Sequence, residues 1–322
     1  MSDRPQTQAY GLDGTRFEVS CSTAMARYLD NRFRLLPVEK SCRQTVFFDF
    51  HAVSNPESHT VTRPPGEGRL IYDIPGGETC YFEDIDAVYL SVRDAVRAFY
   101  EPRSNRVTIS CVESRPKNMF VASHLVLTIL LIEVLKRHGR YSLHAAAFSE
   151  NSQAILIIGD SGTGKSTLSI ALVRAGFDYL ADDMVFLARR ADGMAAQGLA
   201  EDIDVSDQTI GFFPELNDLL RSPRTEGFPK RQVRVDQMYG ARIVRESRPA
   251  AIVFPCISKN PTSTVTPIDS DEALMRIVPN VLLTQPRASQ AHLTALADLV
   301  KQTHCYQLDT GRDFDRIPDV FH

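Results

Sequence analysis

Gly159-Asp160-Ser161-Gly162-Thr163-Gly164-Lys165-Ser166 matches the pattern G-x-x-x-x-G-K-[ST] at every fixed position. Upstream, Ala154 to Ile158 is an uninterrupted apolar run, which predicts a strand buried on both faces of a parallel sheet. Downstream, Leu168, Ala171 and Leu172 recur at helical spacing within Ser166 to Arg174. The stretch therefore reads as strand, glycine-rich turn and helix N-terminus, the setting in which this pattern cradles phosphate. Glycines admit backbone angles that a side chain forbids, so successive N–H groups can turn inward on an anion at the positive end of the helix dipole. On this reading Gly159 through Thr167 contact a nucleotide, Lys165 reaches its terminal phosphates, and the Ser166 hydroxyl ligates Mg²⁺.

The bulk composition excludes several classes. The chain has 322 residues, enough for about two domains, and is 43% hydrophobic and 24% charged, as ordinary globular proteins are. With 36 basic against 40 acidic residues the net charge is −4, so no general nucleic-acid or membrane-surface role is expected. The six cysteines form no C-x-x-C pair and read as free thiols of a cytoplasmic protein. Met1 to Gly14 is polar and lacks the apolar core of a secretion signal. Phe120 to Leu135 is the most apolar segment; it contains Ser123, His124, Thr128 and Glu133 and ends in Lys136-Arg137-His138-Gly139, which predicts a buried helix rather than a membrane span.

Two domains are predicted. Residues 1–117 carry short runs of β-branched and aromatic residues between turn signals, among them Arg16 to Ser20, Thr45 to Phe50, Ala87 to Val92 and Arg106 to Cys111. This part reads as a smaller β-rich accessory or substrate-recognition domain, with His51 and His59 as surface residues. From 118 to 322 strands and helices alternate around the glycine-rich loop, which predicts an α/β core. Its elements are Leu143 to Phe148, Asp178 to Leu180, Met184 to Ala188 and Ala250 to Pro255 as strands, with Asp271 to Leu283 and Ser289 to Thr303 as helices. Arg190 to Gly211 is weakly patterned and acidic. The stretch from Arg221 to Arg248 holds eight cations, suited to phosphates or an acidic peptide, and Lys230 with Arg231, after Gly-Phe-Pro, are its candidate substrate contacts.

A phosphate loop implies nucleotide binding, and the reaction must come from other residues. Asp182 and Asp183 follow Lys165 by 17 and 18 positions at the end of a short strand. Adjacent acids on a strand point to opposite sides, so one can face a metal and the other accept a proton from an attacking hydroxyl. His144, in Leu-His-Ala-Ala-Ala, has little bulk around it in sequence and is the third candidate.

Leu143-His144, the Gly-Asp-Ser-Gly-Thr-Gly-Lys-Ser loop and Ala181-Asp182-Asp183, with their spacing, resemble the catalytic domain of the HPr kinase/phosphorylase family, closely over roughly residues 140–190 and loosely beyond. The resemblance implies a phosphate-loop core of the HPr kinase and PEP carboxykinase-like kind using ATP or GTP with Mg²⁺. Lys165 and Ser166 would bind phosphate and metal, Asp182 would be the base on a serine hydroxyl, Asp183 would assist at the metal, and His144 would line the reacting centre. It also implies a peptide or small-protein acceptor and a homo-oligomer. Thr167 stands where the family has Glu, and the signature Glu-Ile-Arg-Gly-Leu-Gly-Ile has no copy, so reverse phosphorolysis is not expected. The Leu-His-Ala-Ala-Ala form, the Gly-Lys-Ser-Thr loop and the Phe-Pro-Lys-Arg segment look more like kinase-like relatives found beside peptide-modification genes, including those that phosphorylate lasso precursor peptides. Alternatives on the same core are a small-molecule kinase and a nucleotide-binding regulatory ATPase that phosphorylates no acceptor.

Overall fold

A computed structural model describes residues 5–36, 42–74, 76–222, 224, 230–281 and 286–321. The protein is mixed α/β, and the chain divides into two compact units: Met1–His138 with Leu283–Ala288, and Gly139–Leu282 with Ser289–His322.

The first unit is built on one sheet of eight strands: β1 (Gln6–Leu12), β2 (Thr15–Cys21), β3 (Gln44–Val53), β4 (Arg69–Ile74), β5 (Gly77–Phe82), β6 (Ala87–Val92), β7 (Val96–Glu101) and β8 (Arg106–Val112). Their order is β1-β2-β3-β8-β7-β6-β5-β4, with β2–β3 and β3–β8 parallel and the remaining pairs antiparallel. The parallel β2–β3 step needs a crossover, which α1 (Thr23–Arg32) supplies. Ser22 caps that helix by accepting from the Met25 N–H at 3.1 Å, and the helix buries Met25, Ala26 and Leu29. His59 differs from expectation: it is 9% exposed, with Nδ1 2.9 Å from Ser110 Oγ and Nε2 3.2 Å from the Asp94 carbonyl. Both ring nitrogens are satisfied, so His59 is a buried structural residue.

A long helix ends this unit, running as α2 (Pro116–Val121), a π turn (Ala122–Val126) and α3 (Leu127–Arg137). By length and composition it is able to cross a membrane, yet 67% of its most apolar window is buried in the protein. It packs on β7, β8 and α1. The extra residue of the π turn frees carbonyl groups from the i to i−4 ladder. Arg32 answers them, donating to the carbonyls of Ser123 and, at 3.1 Å, His124, and to Thr128 Oγ1 at 2.6 Å. The division between units consequently falls at 138/139 rather than 117/118, because the apolar face of this helix is buried on the strands that precede it.

The second unit comprises β9 (Arg140–Glu150), β10 (Gln153–Ile158), α4 (Lys165–Arg174), β11 (Asp178–Ala181), β12 (Met184–Arg190), β13 (Gly193–Gly198), β14 (Ile203–Val205), α5 (Asp207–Ile210), β15 (Arg231–Val233), α6 (Val235–Met238), β16 (Glu246–Ile257), β17 (Thr264–Ile268), α7 (Ser270–Ile277), α8 (Pro286–Gln302) and β18 (His304–Thr310). Its main sheet runs β10-β9-β12-β13-β16-β18-β17, with β10 also paired to β16 and β11 to β9. Pairing thus passes from β10 through β9, β12, β13 and β16 back to β10. Among the described strand pairs of this sheet, β10–β16 and β16–β18 are parallel and the others antiparallel, so the parallel environment expected for Ala154–Ile158 is half antiparallel. The cause is local: Asn151 and Ser152 sit at φ 51° and 64°, the two left-handed positions that turn β9 directly back as β10. Ala154–Ile158 is nonetheless buried throughout, at 8% exposure or less.

Candidate active site

The glycine-rich stretch joins β10 to α4 as the sequence predicts. Gly162 and Gly164 adopt φ 89° and 99°, and Gly164 is the residue that opens α4. The turn is held by Thr163, whose hydroxyl donates to the Asp160 carbonyl at 2.8 Å. Lys165 does not stand free in solvent. Its ammonium folds back on the Gly159 and Asp160 carbonyls, the latter at 3.2 Å, and partial burial lowers its pKa from the ordinary lysine value against the opposing pull of Asp183 and Asp182. Its side chain therefore closes the loop on itself, and an anion in the loop would compete with those two carbonyls for it. Thr167 turns to Thr209 of α5, Oγ1 to Oγ1 3.2 Å, and serves packing between α4 and the β14–α5 segment.

The two acids lie in the short link between β11 and β12, and they separate as expected of neighbouring side chains. Asp182 is 9% exposed and Asp183 points to solvent. Strand β11 pairs with β9 rather than with β10, so the Asp-Asp link is one strand removed from the loop strand. The connection is made from above the sheet by α4. Ser169, one helical turn after Lys165, donates to Asp182 Oδ1 at 2.5 Å, and its hydroxyl lies 3.0 Å from the Lys165 carbonyl. Burial raises the Asp182 pKa to about 6, with Asp183 adding to the rise while the Ser169 hydrogen bond and the cations Lys230 and Lys165 oppose it. A carboxylate poised there is ionised at neutral pH and still basic enough to take a proton.

His144 lies on β9 opposite Met184, and its Nδ1 sits 3.0 Å from the Asp183 carbonyl and 3.2 Å from Asp183 Oδ1. The ring is about one-third exposed, so it is accessible as anticipated. Lys165, Asp182, Asp183 and His144 thus gather around α4 and the β11–β12 link. Lys230 joins them electrostatically, being felt at both Lys165 and Asp182. Arg231, its expected partner, is otherwise engaged: it holds Asp207 Oδ1 at 3.1 Å, the Leu220 carbonyl at 3.0 Å and the Ser222 carbonyl, with a side chain only 12% exposed. The Gly227-Phe228-Pro229 turn expected before them lies outside the described residues.

Asp204 is the residue that sequence reading passed over. It sits in β14 opposite Gln232 of β15, and its Oδ1 is buried without a hydrogen-bond partner. Burial first, then the neighbouring charge of Asp182, raises its pKa to about 8. At neutral pH Asp204 is therefore mostly protonated, a neutral carboxyl able to donate to an incoming oxygen.

The oxygen donors here suit Mg²⁺, which keeps several waters and takes one or two carboxylates together with substrate phosphates. Ser166 in the first turn of α4 and Asp183 at the exposed rim are the residues that would hold it. Among the described residues no three His, Cys, Asp or Glu side chains converge as an all-protein metal cage requires.

The second unit is thus a mixed α/β fold carrying a strand, a glycine-rich loop and a helix beside a buried carboxylate. No protein-family model matches the chain, and no curated protein does. Among solved structures, the Hpr(Ser) kinase/phosphatase from Coxiella burnetii is similar over 53% of this chain and 85% of its own, at 13% identity and a TM-score of 0.27. At that score the functional reading stands on the geometry above.

Proposed function

We propose that the chain is an ATP-dependent kinase that transfers the γ-phosphoryl group to a hydroxyl, a serine of a peptide or small protein. The observation that supports it best is the hydrogen bond from Ser169 to Asp182, since it ties a carboxylate of near-neutral pKa to the helix that opens at the phosphate loop. The loop N–H groups and Lys165 would hold the phosphates. Asp182 would accept the hydroxyl proton as the new O–P bond forms and the bond from the γ-phosphorus to the bridging oxygen breaks, leaving ADP. Ser166 and Asp183 would hold Mg²⁺, which when bound would supply charge neutralisation on the transferred group. Asp204 would remain neutral and hydrogen-bond an acceptor or phosphate oxygen, while His144 keeps Asp183 at the rim.

Incubation with γ-labelled ATP, Mg²⁺ and a panel of serine-, threonine- and tyrosine-containing peptides tests this, with Lys165→Ala and Asp182→Asn as controls. Label should appear on serine and vanish in both variants. Tight nucleotide binding with no labelled acceptor, across peptides and small hydroxyl compounds alike, would return the site to a nucleotide-binding regulator.

A further inference from the structure

Building on the kinase reading, we infer that a groove between Leu219, Ser222 and Arg224 on one side and the β15–α6 segment on the other takes a stretch of peptide rich in aspartate and glutamate, next to the hydroxyl that enters the site. The cavity measures about 420 Å³, within the range of ligand pockets. Arg224, Lys230, Arg231 and Arg234 line it, together with the apolar side chains of Leu219 and Met238, and among the described residues no carboxylate does. Two acids stand behind this wall: Asp207 pairs with Arg224 and Arg231, and Asp202 lies 3.9 Å from Arg234. Among the described lining residues, four cations face the paired Asp207 and Asp202, so positive charge predominates on this wall.

These four cations have different duties. Arg231 is clamped by Asp207 and two backbone carbonyls and shapes the wall. Arg224 and Arg234 keep 43% and 50% of their side chains exposed, so their guanidinium groups reach the groove and can grip carboxylates two-toothed. Lys230 lies within electrostatic reach of Lys165, Asp182 and Asp204, which sets one end of the groove beside the phosphoryl centre. Gln232, also lining the groove, sits opposite Asp204 across the β14–β15 pair, where side chains share a face. A chain with its hydroxyl at Asp182 would therefore run its flanking residues past Lys230 toward Arg234. Met238, 43% exposed, offers that chain an apolar contact between charges. Nucleic acid is the poorer fit, because the positive surface is one groove on a protein of net charge −4.

The test uses the full chain without nucleotide and three fluorescein-labelled probes: a decapeptide of glutamates around one serine, its lysine counterpart, and a single-stranded oligonucleotide. Anisotropy should show binding of the glutamate peptide alone, weakening roughly tenfold or more between about 0.05 and 0.3 M salt, as exposed charge contacts do. Arg234→Gln and Lys230→Gln should each weaken it by about five- to tenfold, the usual cost of removing a charged contact, with circular dichroism unchanged. Arg224→Gln serves as a third variant, its loss leaving Asp207 to Arg231 alone. Equal binding of the glutamate and lysine peptides, tighter binding of the oligonucleotide, or unaltered affinity in all three folded variants would overturn the inference. Adding ATP separates the two readings. A glutamate peptide that binds but is never phosphorylated keeps the groove and counts against the kinase, whereas serine peptides phosphorylated regardless of flanking charge keep the kinase and remove the groove.

Discussion

Ser169→Ala should move the pH profile of phosphoryl transfer without abolishing transfer. The Ser169 hydroxyl donates to Asp182 Oδ1 at 2.5 Å, and a donor to a carboxylate stabilises the ionised form. Hydrogen bonds to charged groups contribute about 1.5 to 3 kcal/mol, and one pKa unit corresponds to ~1.4 kcal/mol, so losing this one should raise the Asp182 pKa by roughly one to two units. A base must be deprotonated to work, so activity is lost as pH falls through its pKa. The acid limb of kcat/KM, which reports the free enzyme, should therefore shift from about 6 in the wild type to roughly 7 or 8 in the variant. At about pH 6.5 the variant should be down roughly tenfold, while at about pH 9 the two should nearly coincide. Alanine is the best helix former, and α4 should keep its shape. A steady-state assay with coupled ADP detection from about pH 5.5 to 9 reads both limbs. A uniform loss at every pH, or a wild-type profile with no acid limb near 6, would refute the assignment of Asp182 as base.

Asp204→Asn should raise thermal stability at alkaline pH. The folded pKa of about 8 lies above the unfolded value near 3.8, so the native state holds its proton more tightly, and wild-type stability falls as pH rises between those values. The variant should lack that fall, with melting curves converging below about pH 4 and separating by several degrees at pH 8; parallel curves at every pH would contradict the buried carboxyl. Lys165→Ala should abolish transfer yet melt close to wild type, because its ammonium bonds only loop carbonyls, and retained activity would remove the loop from the reaction. Gly198→Ala should destabilise by roughly 1 to 3 kcal/mol in chemical denaturation, since its methyl would collide with the Leu180 carbonyl oxygen; a silent substitution would mean that β11 and β13 are not so close.

How far the sequence reached depended on the scale of the signal. The glycines of the β10–α4 loop were legible because left-handed backbone at Gly162 and Gly164 leaves a residue-type signature. The Asp182–Asp183 divergence followed from neighbouring residues pointing apart, and most strand centres from β-branched runs between turns. Strand sense was less accessible, since the Asn151–Ser152 hairpin turn carries no glycine to mark it. Asp204 was hidden because β14 and β15 are three residues each, too short for alternation to register, and its burial comes from the pairing with a distant segment. Ser169 had a signal that went unused: four residues after Lys165, it lies on the same face of the helix. The misplaced unit boundary has a similar origin, because a change of pattern at Met119 marks the start of a helix and says nothing about which sheet that helix covers.

The clasp of Arg32 on the π turn bears on how this protein can be cut. Its bonds span 91 to 96 residues of chain, so the first crossover helix is completed only when the last helix of the unit arrives. A fragment ending at residue 117 would keep the guanidinium but lose its acceptors at Ser123, His124 and Thr128. Such a fragment, chosen on the apparent change of sequence character, would expose the apolar face of α1 and aggregate. The autonomous piece, where one exists, extends through His138, and a truncation that fails at 117 says nothing about whether the second unit depends on the first.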